Sequence, residues 1–458
     1  MERWLRNALD YVPRWIDFQM RMSQQPGCIL VIAHRGTLVF ERAFGSADLT
    51  TGEKLTPRHR FRVASHSKSF TAAGILRLRE QGKLKLDDTV GRFVADLHPE
   101  VASATVSQLM SHGAGLIRDG NDSGQFDDRR PFFSLRELKE DLKVAPMIEP
   151  NTRLKYSNHG YGLLGLVIEA VTDETYRSWI QREIVDAASL RETLPDMPLP
   201  PGVPFARGHT GHILLGRRLT IPGDFETHAI APAGGFVSTA ADLARFFAQL
   251  APSARKSVLS VASRREMVRH QWRNPESSQE QYYGLGIISG SIDGWNWFGH
   301  TGGLQGYISR TCVIPQPHLT VSVLTNAIDG WAIEWSEGVI HILQAYAKNG
   351  PPSRRVKDWN GRWWTLWGAV DLVPMGDRVI ATGPDSPNPM LDCSVIEITG
   401  RNTGRIAVDG GYGSYGEPVR CTRTKSGKIN QVWLAASRLL TEDKLAREVE
   451  RRYGRTRT

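Results

Sequence analysis

Ser65 and Lys68 are of residue types, and at a spacing, that suit nucleophilic catalysis. They lie in FRVASHSKSFTAAGILRLREQGKL, whose apolar spacing predicts a helix that begins at Ser65. Positions i and i+3 share one face of a helix, so the amine can reach the hydroxyl. A serine is a weak nucleophile without an adjacent base, and a helix N-terminus disfavours a cation, which helps to keep Lys68 neutral. The pair therefore predicts a serine nucleophile with a lysine as its basic partner.

This S-x-x-K pattern is weak by itself. Ordinary serine and lysine usage predicts about two matches by chance in a chain of this length. A second match is present at residues 253–256 (Ser253-Ala254-Arg255-Lys256). It follows Pro252 in a charged stretch with no apolar helix after it, and we therefore do not interpret it as a nucleophile.

Tyr156-Ser157-Asn158 is the only Y-x-N sequence in the chain, and it lies between a proline-containing turn and an apolar helical stretch. A phenol in this place can relay a proton between nucleophile, lysine and leaving group, and the Asn158 amide can bind a substrate amide. The motif alone is equally typical of a surface turn with a packed tyrosine.

A third motif, H-T-G-G, stands between WNWFG and the strand-like run LQGYISRTCVI. It comprises His300, Thr301, Gly302 and Gly303. A strand with two glycines lets a substrate backbone lie along its edge, and one of its N–H groups can complete an oxyanion hole. A second H-T-G copy at residues 209–211 falls in a predicted loop, which makes it the weaker candidate.

The order S-x-x-K, Y-x-N, H-T-G, each in a suitable setting, resembles the serine β-lactamase-like superfamily. These penicillin-recognising enzymes include class C β-lactamases, D-alanyl-D-alanine carboxypeptidases, D-aminopeptidases and related esterases. The resemblance spans roughly residues 25 to 345. Its supporting stretches are LKLDDTVGRF, VSQLMSHGAGL, APAGGFVSTAADLARF and YYGLGI.

The resemblance implies a role for each motif residue. Ser65 is expected to be acylated, with Lys68 and Tyr156 sharing the general-base and general-acid roles. Asn158 is expected to orient the substrate, and the amides of Ser65 and Gly303 to form the oxyanion hole. No metal and no organic cofactor are implied. His112, in MSHGAGL, matches a stretch that is structural in the family.

His300 departs from the lysine that many β-lactamases carry at this position. A histidine titrates near neutrality, so it predicts a weaker, pH-dependent attraction for a substrate carboxylate. Within the family, histidine here resembles the carboxypeptidases and D-aminopeptidases. The leading prediction is a serine hydrolase of amidase or peptidase type on small amides or short peptides. Two alternatives are an esterase with the same residues, and a sensor or binding module that is acylated without turnover.

The elements around these motifs predict an α+β body over residues 1–349. CILVIAHRG and TLVFERAFG predict an antiparallel hairpin with a turn at Arg35-Gly36, and the N-terminus predicts an amphipathic helix. Residues 160–187 have helical spacing, and residues 301–326 contain strand-like runs, so a helical middle enclosed by strands of one sheet is expected. The polar loop of residues 117–131 is expected to border the cleft.

A Pro-, Ser- and charge-rich stretch, NGPPSRRVKDW, predicts a linker. Beyond it, residues 350–458 are predicted to form a small β-barrel-like domain. Four tryptophans open this segment, and core packing is the favoured interpretation over ligand binding. They are Trp359, Trp363, Trp364 and Trp367.

Composition narrows the class of protein. The formal charge of +9 is spread along the chain among acidic residues, with one locally basic tail at residues 447–457, so no nucleic-acid partner is predicted. No run reaches the ~18 apolar residues of a membrane span, and the N-terminus lacks the pattern of a secretory signal, which predicts a cytoplasmic protein. The four cysteines are far apart and predict no zinc site. The expected partners are a small-molecule or short-peptide substrate and, through the C-terminal domain, further copies of the chain.

Overall fold

A computed structural model describes residues 1–411 and 413–454. The chain divides into two compact units: a larger unit, Gln25–Ser336, and a barrel unit, Met1–Gln24 with Glu337–Thr458. The N-terminal helix therefore groups with the C-terminal residues, although the sequence alone placed it in a body of residues 1–349. The assignment of catalysis to residues 1–349 and of a separate role to 350–458 stays a prediction. Residues 455–457 of the basic tail lie outside the described residues.

The helices begin and end as follows. They are α1 Arg3–Ser23, α2 Ser67–Glu80, α3 Pro99–Ser103, α4 Val106–Met110, α5 Leu135–Asp141, α6 Asn158–Thr172, α7 Tyr176–Ile180, α8 Ala231–Gly234, α9 Ala240–Leu250, α10 Val261–Met267, α11 Ala332–Asn349 and α12 Glu442–Tyr453. A π-helical segment, Gln181–Asp186, continues α7. None of the helices in residues 1–411 and 413–454 is both long and apolar enough to cross a membrane.

The larger unit holds an antiparallel sheet. The strands of the larger unit, in chain order, are β1 Gly27–His34, β2 Thr37–Gly45, β3 Phe61–Arg62, β4 Gly208–His209, β5 Thr220–Ile221, β6 Val237–Ser238, β7 Trp272–Arg273, β8 Gln281–Tyr283, β9 Ile288–Ile292, β10 Trp295–Leu304, β11 Tyr307–Ile314 and β12 Leu319–Thr325. Within the described residues, eight of them form one sheet in the order β2-β1-β12-β11-β10-β9-β8-β7, while β3 pairs with β6 and β4 with β5. Helix α9 packs on β1, β11 and β12.

Several elements follow from local sequence. The predicted hairpin is present as β1 and β2, whose turn holds Arg35 at φ 54° and Gly36 at φ 78°. The strand-like runs YISRTCVI and LTVSVLTN form β11 and β12, which pair side by side and are buried on both faces almost throughout. These strands and the helices between them confirm the predicted α+β fold.

The barrel unit contains a second eight-stranded sheet within the described residues. Its strands are β13 Gly361–Thr365, β14 Gly368–Met375, β15 Arg378–Thr382, β16 Ser394–Gly400, β17 Thr403–Val408, β18 Pro418–Arg423, β19 Ile429–Leu434 and β20 Ser437–Leu439. Trp364 at one edge and Leu440 just past the other exchange backbone hydrogen bonds of 2.7 and 3.0 Å. This bridge closes the sheet into a barrel, which removes its edges.

The tryptophans of the barrel unit divide between core and surface. Trp359 and Trp363 are buried in the barrel core, as the sequence favoured. Trp364 packs against Phe18 of α1, with ring centroids 5.8 Å apart. Trp367 is 97% exposed in the β13–β14 turn. Core packing therefore accounts for two of the four, and contact with α1 for a third.

Helix α1 is tied to the barrel through a buried carboxylate. Asp371 on β14 is fully buried and accepts two hydrogen bonds of 2.8 Å from Arg362. The Tyr11 hydroxyl of α1 donates to the same carboxylate at 3.0 Å, and burial beside Asp371 raises the pKa of this phenol. A buried charge is tolerated when it is paired and hydrogen-bonded in this way.

Replacing this carboxylate should destabilise the barrel unit. We expect Asp371→Ala to lower the free energy of unfolding by about 3 kcal/mol, because Arg362 loses its counter-charge in a largely buried place. Urea unfolding followed by tryptophan fluorescence measures the change. The matched control is Asp377→Ala, at an exposed acid in the neighbouring β14–β15 turn, with an expected change within about 0.5 kcal/mol. Equal effects of the two variants would contradict the role given to Asp371.

Candidate active site

Ser65 lies on a tight turn at the start of the helix. A 3₁₀ turn, Ala64–His66, precedes α2, so the α-helix begins two residues later than the sequence predicted. Ala64 has φ 48°, a left-handed conformation that an alanine rarely adopts and that ends the extended run of β3. Such strain is typical of functional sites. The turn leaves Ser65 half-buried between neighbours that are buried.

Strand β10 holds this turn from the other side. A Cβ at Gly302 would lie 2.2 Å from the Val63 carbonyl oxygen, so only glycine allows the strand to come this close. The His66 ring bridges turn and sheet, with Nδ1 3.0 Å from the Val63 oxygen and Nε2 3.2 Å from Thr311 Oγ1. Gly302 is thus required by the packing of β10 on the turn that carries Ser65.

The structure brings three of the predicted site residues together at one hydroxyl. Lys68 Nζ lies 3.2 Å from Ser65 Oγ, and the Tyr156 hydroxyl donates to the same oxygen at 2.9 Å. Lys68 comes from the first turn of α2, whereas Tyr156 precedes α6. Both are therefore in reach of any proton that Ser65 gives up.

Lys68 is fully buried. Its Nζ donates to Asn158 Oδ1 at 2.7 Å and to the Ala233 carbonyl oxygen at 2.8 Å. Burial holds the pKa of this amine well below its usual value, the nearby Asp119 carboxylate opposes that shift, and Arg118 adds to it. When this amine is neutral, it has two N–H bonds for these two acceptors and one lone pair that can take the Ser65 proton.

Tyr156 stays a neutral phenol. Burial raises its pKa, and the hydrogen bond with Ser65 opposes the shift. Its ring lies between Lys68 Nζ, 4.8 Å from the centroid, and the His112 ring, 4.1 Å away. A neutral phenol can both accept and donate a proton, which a relay requires.

Asp119 is a site residue that the motifs did not reveal. Its Oδ1 accepts from Asn158 Nδ2 at 2.5 Å, and its Oδ2 accepts from Arg118 Nε at 2.9 Å. The first bond fixes the Asn158 amide so that its oxygen faces Lys68. The polar loop of residues 117–131 therefore does border the site. Its composition was the only signal in the sequence, and it does not single out one acid.

A chain of buried hydrogen bonds runs behind Tyr156 to the H-T-G-G motif. The Ser157 amide donates to His112 Nδ1 at 3.1 Å, so His112 Nε2 donates to the Tyr283 oxygen, also at 3.1 Å. The Tyr283 hydroxyl then donates to His300 Nε2 at 3.2 Å, and His300 Nδ1 donates to the Thr301 oxygen at 2.7 Å. The Ser157 amide, which must donate, and the Thr301 carbonyl oxygen, which must accept, fix the tautomers of His112 and His300.

The expectation that His300 titrates near neutrality is wrong. The side chain is 1% exposed, and burial, with the nearby His66 and Lys68, lowers its pKa well below the usual value. His300 is therefore neutral at pH 7 and offers no charge to a carboxylate. The sequence shows a histidine but not its burial, which comes from packing against elements distant along the chain.

The remainder of the motif is more open. Thr301 is half-buried, and Gly303 is exposed and pairs with Ile308 of β11. A Cβ at Gly303 would meet only Ile308 Cδ1, at 3.6 Å, so space is free beside this backbone. The H-T-G copy at residues 209–211 differs, since the ring of His209 binds Asn326 and Leu49 backbone atoms and serves local structure.

Comparison with known proteins agrees with this fold. Over 171 residues, 36% of this chain, it is 28% identical to "Protein flp" of Staphylococcus aureus (strain COL) and spans only 34% of that relative. It is 29% identical over 318 residues to penicillin-binding protein 4 of Amycolatopsis lactamdurans, covering 66% of this chain and 81% of the relative.

Two solved structures share the fold. The octameric penicillin-binding protein homologue from Pyrococcus abyssi aligns with a TM-score of 0.66 at 22% identity, covering 94% of this chain and 99% of the other. The D-amino acid amidase from Ochrobactrum anthropi SV3 aligns with a TM-score of 0.64 at 22% identity, covering 75% and 99%. At these identities the likeness concerns the fold alone.

The sheet, the S-x-x-K helix and the facing Y-x-N and H-T-G-G segments define a protein of the β-lactamase and penicillin-binding-protein type. The chain belongs to the Beta-lactamase family, which matches residues 12–330. The resemblance predicted from the three motifs is thereby confirmed.

The buried histidines predict how stability depends on pH. Burial lowers the pKa of His66 to about 4, and lowers those of His112 and His300 well below the usual value. Histidines of the unfolded chain take up protons near pH 6.5. Since the unfolded state then binds more protons than the folded one, the free energy of unfolding should fall as the pH drops from about 7 to about 5. Urea unfolding at a series of pH values measures this.

His66→Asn should make this pH dependence less steep. His270→Asn is the matched control, because His270 is exposed to water. If the His66 variant does not fold, histidine NMR resonances of the unaltered protein test the same point. A His66 ring that titrates above about pH 6 would contradict its neutral, buried state.

Proposed function

We propose that the protein hydrolyses small amides or short peptides through an acyl-enzyme on Ser65. The observation that carries this proposal is the buried Lys68 amine, whose Nζ lies 3.2 Å from Ser65 Oγ in a place where burial holds its pKa well below the usual value. A serine needs such a base, and a neutral lysine in a desolvated site supplies one.

The proposed reaction has two halves. Ser65 Oγ attacks the substrate carbonyl carbon and gives its proton to Lys68 Nζ, while the carbonyl oxygen becomes an oxyanion that the Ser65 and Gly303 amides receive. The C–N bond then breaks, the leaving amine takes a proton from Tyr156, and Lys68 restores that proton. Water attacks the ester in the second half, loses its proton to the same relay, and frees the acid and Ser65.

Two observations favour an amide over a β-lactam as the natural substrate. His300 is neutral and so supplies no cation at the place where many β-lactamases have lysine. Proteins of the same fold include one described as a D-amino acid amidase and one described as a D-stereospecific amidohydrolase, from Streptomyces sp.. Asn158, held by Asp119, is proposed to orient the amide, and Thr301 and Gly302 to line the strand edge beside it.

The remaining sequence-based expectations on setting stay predictions. They are a cytoplasmic location and assembly into a homo-oligomer. The Pyrococcus abyssi homologue is described as octameric, which supports a test of the oligomeric state by light scattering.

Removal of the nucleophile should abolish turnover. We expect Ser65→Ala to lower kcat/KM by at least about 10³-fold on any D-aminoacyl amide or short peptide that the unaltered protein cleaves. The Ser253→Ala variant, at the serine of the second S-x-x-K, is the matched control and should keep full activity. If the unaltered protein and Ser65→Ala cleave a panel of D-aminoacyl amides and short peptides equally poorly, the proposal is refuted.

The unaltered protein and Ser65→Ala also distinguish amide hydrolysis from the two alternatives, an esterase and a sensor that is acylated without turnover. Matched p-nitrophenyl esters and anilides compare the two leaving groups, and an amidase should show measurable anilide turnover that Ser65→Ala lacks. Intact-mass measurement follows the acyl group. An adduct on Ser65 that persists for hours with every acyl donor would indicate a sensor and contradict hydrolysis.

The pH dependence of kcat/KM should follow the protonation of Lys68. We expect kcat/KM to rise with pH as Lys68 loses its proton, with a midpoint well below the usual lysine pKa because burial disfavours the charged amine. Asp119→Asn should move this midpoint to lower pH, since the Asp119 carboxylate raises the pKa of Lys68. Asp127→Asn, at an exposed acid of the same loop, is the matched control. An unmoved midpoint in Asp119→Asn would contradict Lys68 as the titrating base.

A further inference from the structure

A large cavity lies in the larger unit, away from Ser65. Its volume is about 1230 Å³, and its lining contains none of the residues that surround Ser65. It is formed where the β1–β2 and β11–β12 turns meet the end of α9 and the segments 187–192 and 251–257. Along β11, Ser309 beside His66 and Ile314 in the cavity wall are five residues apart, which is about 16 Å at roughly 3.3 Å per residue.

The lining of this cavity is strongly basic. It contains six lysine and arginine side chains, of which Arg58 pairs with Glu192 at 2.8 Å and Arg245 with Asp242 at 2.9 Å. The only carboxylate in the lining, Glu192, is thus already paired. The other four cations form no ion pair among the described residues; they are Arg35, Arg191, Arg255 and Lys256. An uncompensated cluster of like charges raises the free energy of the folded state unless an anion joins it.

Two of the segments that carry these cations are held by hydrogen bonds. The Arg35 amide donates to the His318 carbonyl oxygen at 2.9 Å, which ties the two hairpin turns together. Arg264 is 4% exposed and donates to backbone oxygens on the far side of the cavity. Its acceptors are the carbonyl groups of Ala251, Ala254, Gln249 and Ser260. A buried guanidinium thus fixes the backbone of the loop that carries Arg255 and Lys256, which lowers the cost of ordering this loop when a ligand binds.

The charge and size of the cavity indicate which class of ligand it binds. Guanidinium groups bind phosphate in a bidentate manner, and a phosphate group carries about −1.5 to −2 charges at pH 7. Two phosphate groups therefore balance the four unpaired cations. Small-molecule sites are concave and occupy roughly 300–1,000 Å³, and this cavity, at about 1230 Å³, exceeds that range and has room for such a ligand. A nucleic acid backbone is instead expected on an extended basic stripe.

We infer that this cavity binds a small molecule that carries two phosphate groups, with Arg35, Arg191 and the Arg255-Lys256 pair as its receptors. The second S-x-x-K match lies in this cavity wall, and its lysine is exposed. The ligand site is separate from the proposed hydrolytic site and does not depend on it.

Inorganic pyrophosphate is the probe for this inference. Isothermal titration calorimetry of the full chain at physiological salt should show binding that weakens about tenfold or more in the double variant Arg255→Gln/Lys256→Gln. The matched control Lys83→Gln/Lys85→Gln removes the same charge from exposed lysines elsewhere in the larger unit and should bind as the unaltered protein does. Inorganic phosphate should bind more weakly than pyrophosphate.

Arg191→Gln repeats the test on another wall of the cavity, and circular dichroism confirms that each variant is folded. No heat of binding at millimolar pyrophosphate would overturn the inference. So would unchanged affinity in both cavity variants, or an equal loss in the lysine control, which would reveal a general charge effect. Binding of single-stranded DNA without binding of pyrophosphate would instead assign the surface to a macromolecule and refute a small ligand.

Discussion

The burial of the Lys68 amine beside Ser65 is the constraint on which the candidate active site depends. An ammonium group in this place would lose its hydration, so the neutral form is favoured. In the neutral form, the Ala233 carbonyl oxygen and Asn158 Oδ1 can accept its two N–H groups, which leaves the lone pair for the serine. The partners come from α6 and α8, so the chemistry of one helix depends on two others.

The surrounding fold keeps Lys68 Nζ within 3.2 Å of Ser65 Oγ. The Ala64 turn presents Ser65 ahead of α2, and Gly302 lets β10 press against that turn. The hydrogen bonds from His112 through Tyr283 to His300 then connect the segment before α6 with β10. A neutral histidine in this chain serves positioning, because a charged ring has two N–H donors and would leave the Ser157 amide or the Tyr283 hydroxyl without an acceptor.

The two S-x-x-K segments show how environment decides the role of a lysine. Lys68 is buried and short of hydration, which suits a base. Lys256 is exposed in a cavity lining that also contains arginines, a setting that suits the binding of an anion. Local sequence does not distinguish these environments. The apolar stretch after Ser65 was the one local indication, and it reflects that α2 lies in the core.

The sequence by itself determined the fold class, the β1–β2 hairpin, the strands β11 and β12, and the order of the three motifs that identifies the family. These depend on short-range periodicity and on residue types that the chemistry requires. Only the tertiary structure decided that His300 is neutral, that Asp119 holds Asn158, that α1 groups with the barrel, and that Arg255 and Lys256 face a common cavity. The physical reason is that burial, local dielectric and the choice of hydrogen-bond partner arise from segments far apart in the chain, which no local pattern records.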